Sequence, residues 1–444
     1  MALLPDASRL KSIGILGLPI MGGMLSQSVL NLVDAAMVGS LGSQALAGVG
    51  LGSYANFMAV ALVMGLGAGV QAMVARRKGE GSTDLIAGPL NEGLLIALLI
   101  ALPLTLLCWT QAGNIIHLLA DDPAVIGIGA SYFQWRTLAI VAVGFNFAFR
   151  GYWNGIHRSG MYLQILIVMH LANVFISYGL IFGRFGMPEL GAEGSGLGTA
   201  IAMLFGAALY FLVTWHAGRE HGFLRARPRW KGISAMLRLA TPNSLQQFFF
   251  ASGITMLFWI IAQIGTDELA VAHVLINLAL FLILPGVGLG MAATTLVSHS
   301  LGARKPDDAY RWGWDVVRVA IVSLFLMGIP FWLAPHLVLS IFTQDPQLIA
   351  LGEWPLRITG IGMSLDATAL VLTQALLGAG ASRTVMSVNL GSQWLLFLPC
   401  AYVIGPLLGG GLLAAWLLQT LYRCMTSIIF AIMWRRRGWV NIRV

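Results

Sequence analysis

Apolar runs of membrane-spanning length recur along this chain, separated by short polar stretches. A run of about 20 apolar residues crosses a bilayer as a helix, because backbone groups in lipid must pair within their own segment. Only 10% of the 444 residues are charged, while 58% are hydrophobic. A soluble domain carries about 25% charged residues, so this composition excludes a soluble fold. The chain reads as an all-α polytopic membrane protein. Twelve transmembrane helices are expected, centred near residues 26, 60, 100, 137, 171, 205, 248, 284, 322, 361, 394 and 421. The N-terminal MALLPDASRLK runs into the first span without a cleavable signal peptide in evidence, so that span is expected to be an uncleaved insertion signal.

Orientation follows from Lys and Arg. One alternate set of polar segments holds Arg9 and Lys11; Arg76, Arg77 and Lys78; Arg158; Arg219, Arg225, Arg227, Arg229 and Lys231; Arg304, Lys305 and Arg311; Arg383; and Arg435, Arg436 and Arg437. The other set (SLGSQ, HLLADDP, FGRFGMPEL, IGTDE, FTQDP, GPLLGG) holds only Arg184. Both termini are therefore expected on the cytoplasmic side. The net charge of +8 follows this topology instead of forming one patch, which argues against nucleic acid as a partner. Cys108, Cys400 and Cys424 lie in or beside apolar spans with no CxxC or Cys/His spacing. They read as small packing residues, and no disulfide is expected.

The chain repeats itself. DDP at 121–123 returns as QDP at 344–346. Gly42 and Gly265, Gly65 and Gly288, Gly67 and Gly290, Gly79 and Gly302, Gly155 and Gly378, Ser159 and Ser382, and Pro19 and Pro242 keep one spacing, 242 less 19 being 223. One offset serves six spans. An even span count per repeat gives both halves one orientation and a pseudo-two-fold along the membrane normal. The expected organisation is an N-lobe of six helices at 1–216, a cytoplasmic linker at 217–232 and a C-lobe of six helices at 233–444. Two like bundles about a cleft suit alternating access.

Two carboxylates interrupt the apolar pattern. A charge near mid-membrane costs about 2.5–3.5 kcal/mol on insertion scales, and such residues usually face a cavity or a partner. On the first span Gln27, Asn31 and Asp34 fall at i, i+4 and i+7, on one helical face, flanked by Ser26 and Ser28. A carboxyl on a buried polar stripe suits reversible protonation, and its oxygens equally suit a hard cation such as Na⁺. The plain alternative is a hydrogen-bonded structural acid, or one near enough to the outer surface to reach water. Asp366, on the tenth span, has no repeat mate at Asp34, whose mate is Leu257. It reads either as a counter-charge for a cation or substrate, or as a buried acid bonded to Ser, Thr or Gln neighbours.

The motifs LPIMGGMLSQSVLNLVDAAMVG, LANVFIS, FGRFGMPELGAEGSGLGTAIA and SLDATALVLTQALLGAG, with the doubled six-helix pattern, resemble the multidrug and toxic compound extrusion (MATE) transporters, in the NorM-like or DinF-like bacterial branch. The resemblance covers essentially the whole chain. It implies a bacterial inner-membrane protein, active as a monomer among membrane lipids. It implies antiport of H⁺ or Na⁺ against amphipathic or cationic drugs and toxins, with no cofactor beyond the coupling ion. It also implies an ion-coupling site at Asp34, Asn173, Ser177 and Thr199, with Na⁺ as a possible metal at Asp34. Asn173 and Ser177 share a helix face. Ser177 stands where many relatives carry Asp or Asn, which favours H⁺ over Na⁺. Pro19 matches a helix-1 proline associated with bending, the bland alternative being a proline near the helix start.

The second half departs from the family pattern. The span-7 Glu of NorM-like relatives falls at Phe250, and the Tyr one turn before the span-10 Asp falls at Gly362. The ion site is therefore placed in the N-lobe, and Phe248, Phe249 and Phe250 become candidates for a substrate cavity, through area and cation–π attraction. For these rings, lipid or helix packing is the competing reading.

Weaker signals are read plainly. GLGAGV at 65–70 is helix packing and not a phosphate loop. HAGREH at 216–221 has the wrong spacing for zinc. His170 and His273 read as packed, hydrogen-bonded histidines, with proton relay as the alternative. Glu353 and Arg357 are expected to form a helical ion pair, with Arg136 at a similar place in the first repeat. Arg150, at the inner end of the fourth span, is expected to meet the cytoplasmic interface or a helix terminus. A major-facilitator transporter, a lipid-linked oligosaccharide flippase of the same superfamily, and an intramembrane enzyme are the rival functions. The loop ARRKGEGSTD lacks the first group's Asp-Arg pattern, the chain is short for the second, and no nucleophile–base pair or metal spacing supports the third.

Overall fold

The computed structural model describes residues 5–82, 85–119 and 122–442. Asp121 of the DDP motif lies outside them. Among the described residues, eleven helices are long and apolar enough to cross a membrane. They include α1 (Ala7–Gly39), α2 (Ser43–Gly79), α3 (Gly88–His117), α6 (Ser159–Phe182), α7 (Ala192–Gly218), α8 (Trp230–Ala262), α9 (Thr266–Gly302), α10 (Pro306–Leu333) and α12 (Pro346–Ala379). The expected fourth span is divided into α4 (Pro123–Thr137) and α5 (Ile140–Gly155), each shorter than a bilayer crossing. A short α11 (Pro335–Ser340) precedes α12. The expected eleventh span contains α13 (Ser382–Leu390), a π-helical stretch at Gly391–Phe397, α14 (Leu398–Tyr402) and a second π-helical stretch at Val403–Leu407. The chain closes with α15 (Gly411–Arg436).

The sequence echoes become matching local structures. Asp122 caps α4, its side chain accepting from the Ala124 N–H at 2.9 Å, and Pro123 occupies the first turn. Asp345 caps α12 the same way, accepting from the Gln347 N–H at 2.8 Å, with Pro346 following. Each carboxylate satisfies one orphan donor, and each proline sits where an N–H is not needed.

The chain forms two compact units, one of Gly22–Ser244 and one of Met1–Met21 with Leu245–Val444. The covalent segment at 217–232 lies inside the first unit; the changes of unit fall within α1 and within α8. These two changes are themselves one repeat apart, 244 less 21 being 223. In the first unit α2 packs on α3, α4 and α5, and α6 packs on α7. In the second, α12 packs on α9, α10 and α15. Leu32, Leu106, Leu395 and Leu421 stand exposed on the helix sides, as lipid-facing residues do.

Small residues set the close crossings. In the first unit a Cβ at Gly65 of α2 would run into the Ala240 carbonyl and would come 2.5 Å from the Ser244 hydroxyl. In the second unit a Cβ at Gly288 of α9 would come 3.0 Å from Met21. Gly65 and Gly288 are repeat mates, and so are Ser244 and Met21. Cys108, Cys400 and Cys424 are free thiols.

Candidate functional site

In the unit Gly22–Ser244, the second half of α1 carries the polar stripe. The Gln27 Nε2 donates to Asn31 Oδ1 at 3.1 Å, one helical turn on. His170 of α6 is only 6% exposed and closes on this stripe. Its Nε2 lies 3.2 Å from Gln27 Oε1, and its Nδ1 lies 2.7 Å from Ser26 Oγ. A carbonyl oxygen only accepts, so Nε2 carries the proton and Nδ1 accepts from the Ser26 hydroxyl. His170 is thus hydrogen-bonded into the stripe, an association between α1 and α6 that the sequence did not reveal. His273, in the other unit, stacks on Phe258 at 4.0 Å.

Asp34 is half-buried, and its Oδ1 is buried with no hydrogen-bond partner. Arg136 of α4 acts on it electrostatically, and the Arg136 Nε is also buried without a partner. Asn173, Ser177 and Thr199 are all buried. The Ser177 hydroxyl donates to Asn173 Oδ1 at 3.0 Å, and the Thr199 hydroxyl donates to the Ser195 carbonyl at 2.9 Å. Gly198 brings α7 against Ser177, since a Cβ there would lie 2.5 Å from Ser177 Oγ. Asn173 Nδ2 is left without a hydrogen-bond partner. Among the described residues no hydrogen bond joins Asp34 to Asn173, Ser177 or Thr199. The structure thus joins Ser177 to Asn173 and seats Gly198 of α7 on Ser177, while Asp34 Oδ1 is left without a hydrogen-bond partner.

In the other unit Asp366 is 3% exposed and takes an ion pair from Arg423 of α15, Nη1 to Oδ2 at 2.5 Å. This corrects the expectation of Ser, Thr or Gln neighbours. Arg423 stands in the apolar run LLQTLYRCMTS, the same kind of intramembrane charge as Asp366, so the signal was present but the partner was not readable. Phe250 lines a cavity of about 30 Å³ with Leu257, Ile276, Phe397, Gln393, Gln419 and Arg423. Phe249 instead meets Trp394 edge-on at 5.9 Å, and Phe248 meets Phe249 edge-on at 5.7 Å.

One further expectation, the Glu353–Arg357 ion pair, is corrected, and two positions are placed. Pro19 lies well inside α1, not near its start, and Pro242 lies likewise inside α8. Glu353 and Arg357 form no ion pair among the described residues; the Arg357 guanidinium lies over the Trp354 ring at 5.3 Å. Arg150 lies over the Phe147 ring at 4.5 Å. In the last two cases an aromatic neighbour offers a weakly hydrated guanidinium a desolvated partner.

A family model described as MatE matches residues 19–179 and again residues 242–403. The chain belongs to the MatE family. The two MatE matches begin at Pro19 and Pro242, at the offset of the internal repeat. This MatE chain is a multi-pass membrane transporter and not an enzyme. It is 26% identical over 435 residues to "Probable multidrug resistance protein NorM" of Neisseria meningitidis serogroup B, covering 94% of this chain and 92% of the relative. It is 27% identical over 403 residues to "Multidrug resistance protein PmpM" of Pseudomonas aeruginosa, covering 90% and 84%. The fold matches a solved MATE in the straight conformation, with TM-score 0.89, 19% identity and coverage of 98% and 97%. It also matches an outward-facing multidrug resistance MATE family transporter of the MOP superfamily, with TM-score 0.90, 18% identity and the same coverage.

Proposed function

We propose that this MatE transporter is a secondary active exporter that exchanges H⁺ or Na⁺ for amphipathic organic compounds, cationic ones among them. The observation that carries this reading is the buried, unpartnered Oδ1 of Asp34. A buried acceptor left without a protein partner calls for a ligand, and a carboxylate oxygen suits a proton or a small hard cation. The relatives named as multidrug resistance proteins support the substrate class.

In this scheme the ion enters from outside and binds at Asp34, with Asn173, Ser177 and Thr199 completing the site. Binding changes the bend of α1 at Pro19 and favours release of the compound outward; return to the inward state releases the ion. The driving force is about 2.3 kcal/mol per charge per 100 mV, plus any concentration gradient. The repeats act as two lobes, 1–216 and 233–444, and the chain works as a monomer in the bacterial inner membrane with both termini cytoplasmic, an orientation that the Lys and Arg distribution supports.

The test is dye efflux from proteoliposomes under separately imposed pH and Na⁺ gradients, comparing wild type with Asp34→Asn. Efflux under one gradient that the variant loses identifies both the ion and the site. Undiminished transport by the variant makes Asp34 structural.

A further inference from the structure

The cavity of the unit Met1–Met21 with Leu245–Val444 has a polar end whose hydrogen-bonding capacity the protein leaves unused. Arg423 has five N–H donors in a fixed fork. Asp366 takes Nη1, while the buried Nε has no hydrogen-bond partner. Gln419 lies one turn before Arg423 on the same face of α15, and its Oε1 is also buried without a partner. Both residues line the cavity. The π-helical stretch Gly391–Phe397 contributes Gln393 and Phe397 to the same lining. Such π turns occur frequently at functional sites. Gly253 of α8 lies directly against the Gln393 amide. The remaining walls include Phe250, Leu257, Ile276 and Ile283.

We propose that this cavity is a subsite for the uncharged amide group of an amphipathic organic ligand, its carbonyl accepting from Arg423 and its N–H donating to Gln419 Oε1, and that it is not a cation site. The charge balance selects the class. Asp366 and Arg423 neutralise each other, so a cation entering here meets a guanidinium and finds no free carboxylate. An anion adds an uncompensated charge to a buried neutral pair, which is expensive. An amide adds no charge and offers both the acceptor and the donor that the polar end lacks. A cavity of about 30 Å³ takes a head group of a few atoms, with the apolar body of the ligand lying on the aromatic rim. Calling this ligand a substrate rests on the efflux reading; the binding itself does not.

The experiment uses the full-length protein in lipid nanodiscs, without any gradient, and three probes sharing one naphthalene body: the carboxamide, the carboxylate and the trimethylammonium. Equilibrium affinities are measured for wild type, for Gln419→Met, and for the double variant Asp366→Asn with Arg423→Gln, which keeps the site neutral. The carboxamide is expected to bind tightest. Gln419→Met and the double variant are each expected to weaken it about tenfold, the loss of a buried hydrogen bond, and to leave the other two probes unchanged. Equal binding of all three probes, tightest binding of the ammonium, or a carboxamide indifferent to Gln419→Met overturns the proposal. Dye efflux from proteoliposomes of the same protein separates the two readings. Export that persists while the probes do not discriminate sinks only the amide subsite; discriminating probes with no gradient-driven export sink only the efflux reading.

Discussion

The Gly65 backbone N–H donates to the Ser244 hydroxyl at 3.1 Å, across the α2–α8 crossing of the unit Gly22–Ser244. No side chain fits between the two helices there. The repeat mates of these residues, Gly288 and Met21, meet at the α9–α1 crossing of the other unit. Gly65→Ala is expected to destabilise the protein by about 1–3 kcal/mol through overpacking. Gly113→Ala, at a position with nothing within 4 Å of the added carbon, is expected to be harmless. Thermal unfolding in detergent distinguishes them, and equal melting of the two variants contradicts the packing argument.

Asp366 and Arg423 form a pair whose side chains are 4% and 17% exposed. Asp366→Asn alone strands a buried guanidinium and is expected to cost about 3–5 kcal/mol. The double variant with Arg423→Gln is expected to recover most of that loss. Melting temperatures of the single and double variants, compared as a mutant cycle, measure the coupling; additive losses mean that the pair contributes nothing.

Ser177 supplies a neutral oxygen beside Asn173. In the proposed ion site Ser177→Asp adds a second carboxylate, and more anionic oxygen favours a hard metal cation. The expected outcome is efflux that becomes more responsive to a Na⁺ gradient at fixed pH. An unchanged Na⁺ response places Ser177 outside the ion site.

Arg9 anchors the first turns of α1 to α10 within one unit. Its Nη1 reaches Asp308 at 2.7 Å, its Nε reaches Asp315 at 2.5 Å, and its guanidinium lies over Trp312 at 3.7 Å. Lysine is a point charge and reproduces neither the fork nor the stacking. Arg9→Lys is therefore expected to lower stability by about 1–2 kcal/mol, part of the worth of charge-assisted hydrogen bonds in a half-buried site. A melting temperature equal to that of wild type would show that the fork is dispensable.

The sequence by itself determined the features that are local or linear. Lipid forces each span to pair its own backbone, so apolar run length revealed the helices, and Asp122 and Asp345 marked two helix starts through caps that need only the next two residues. The constant offset of 223 residues revealed the repeat because duplication preserves spacing. Helical periodicity placed Asn173 with Ser177, and Gln27 with Asn31, on shared faces. Tertiary structure alone decided which faces meet. It brought His170 to Ser26 and Gln27, and Arg423 to Asp366, across helices far apart in sequence. It put the changes of unit in the middle of α1 and α8. It divided the fourth span between α4 and α5. Each of these outcomes depends on side chains from several helices competing for one buried volume, and no single segment encodes that competition.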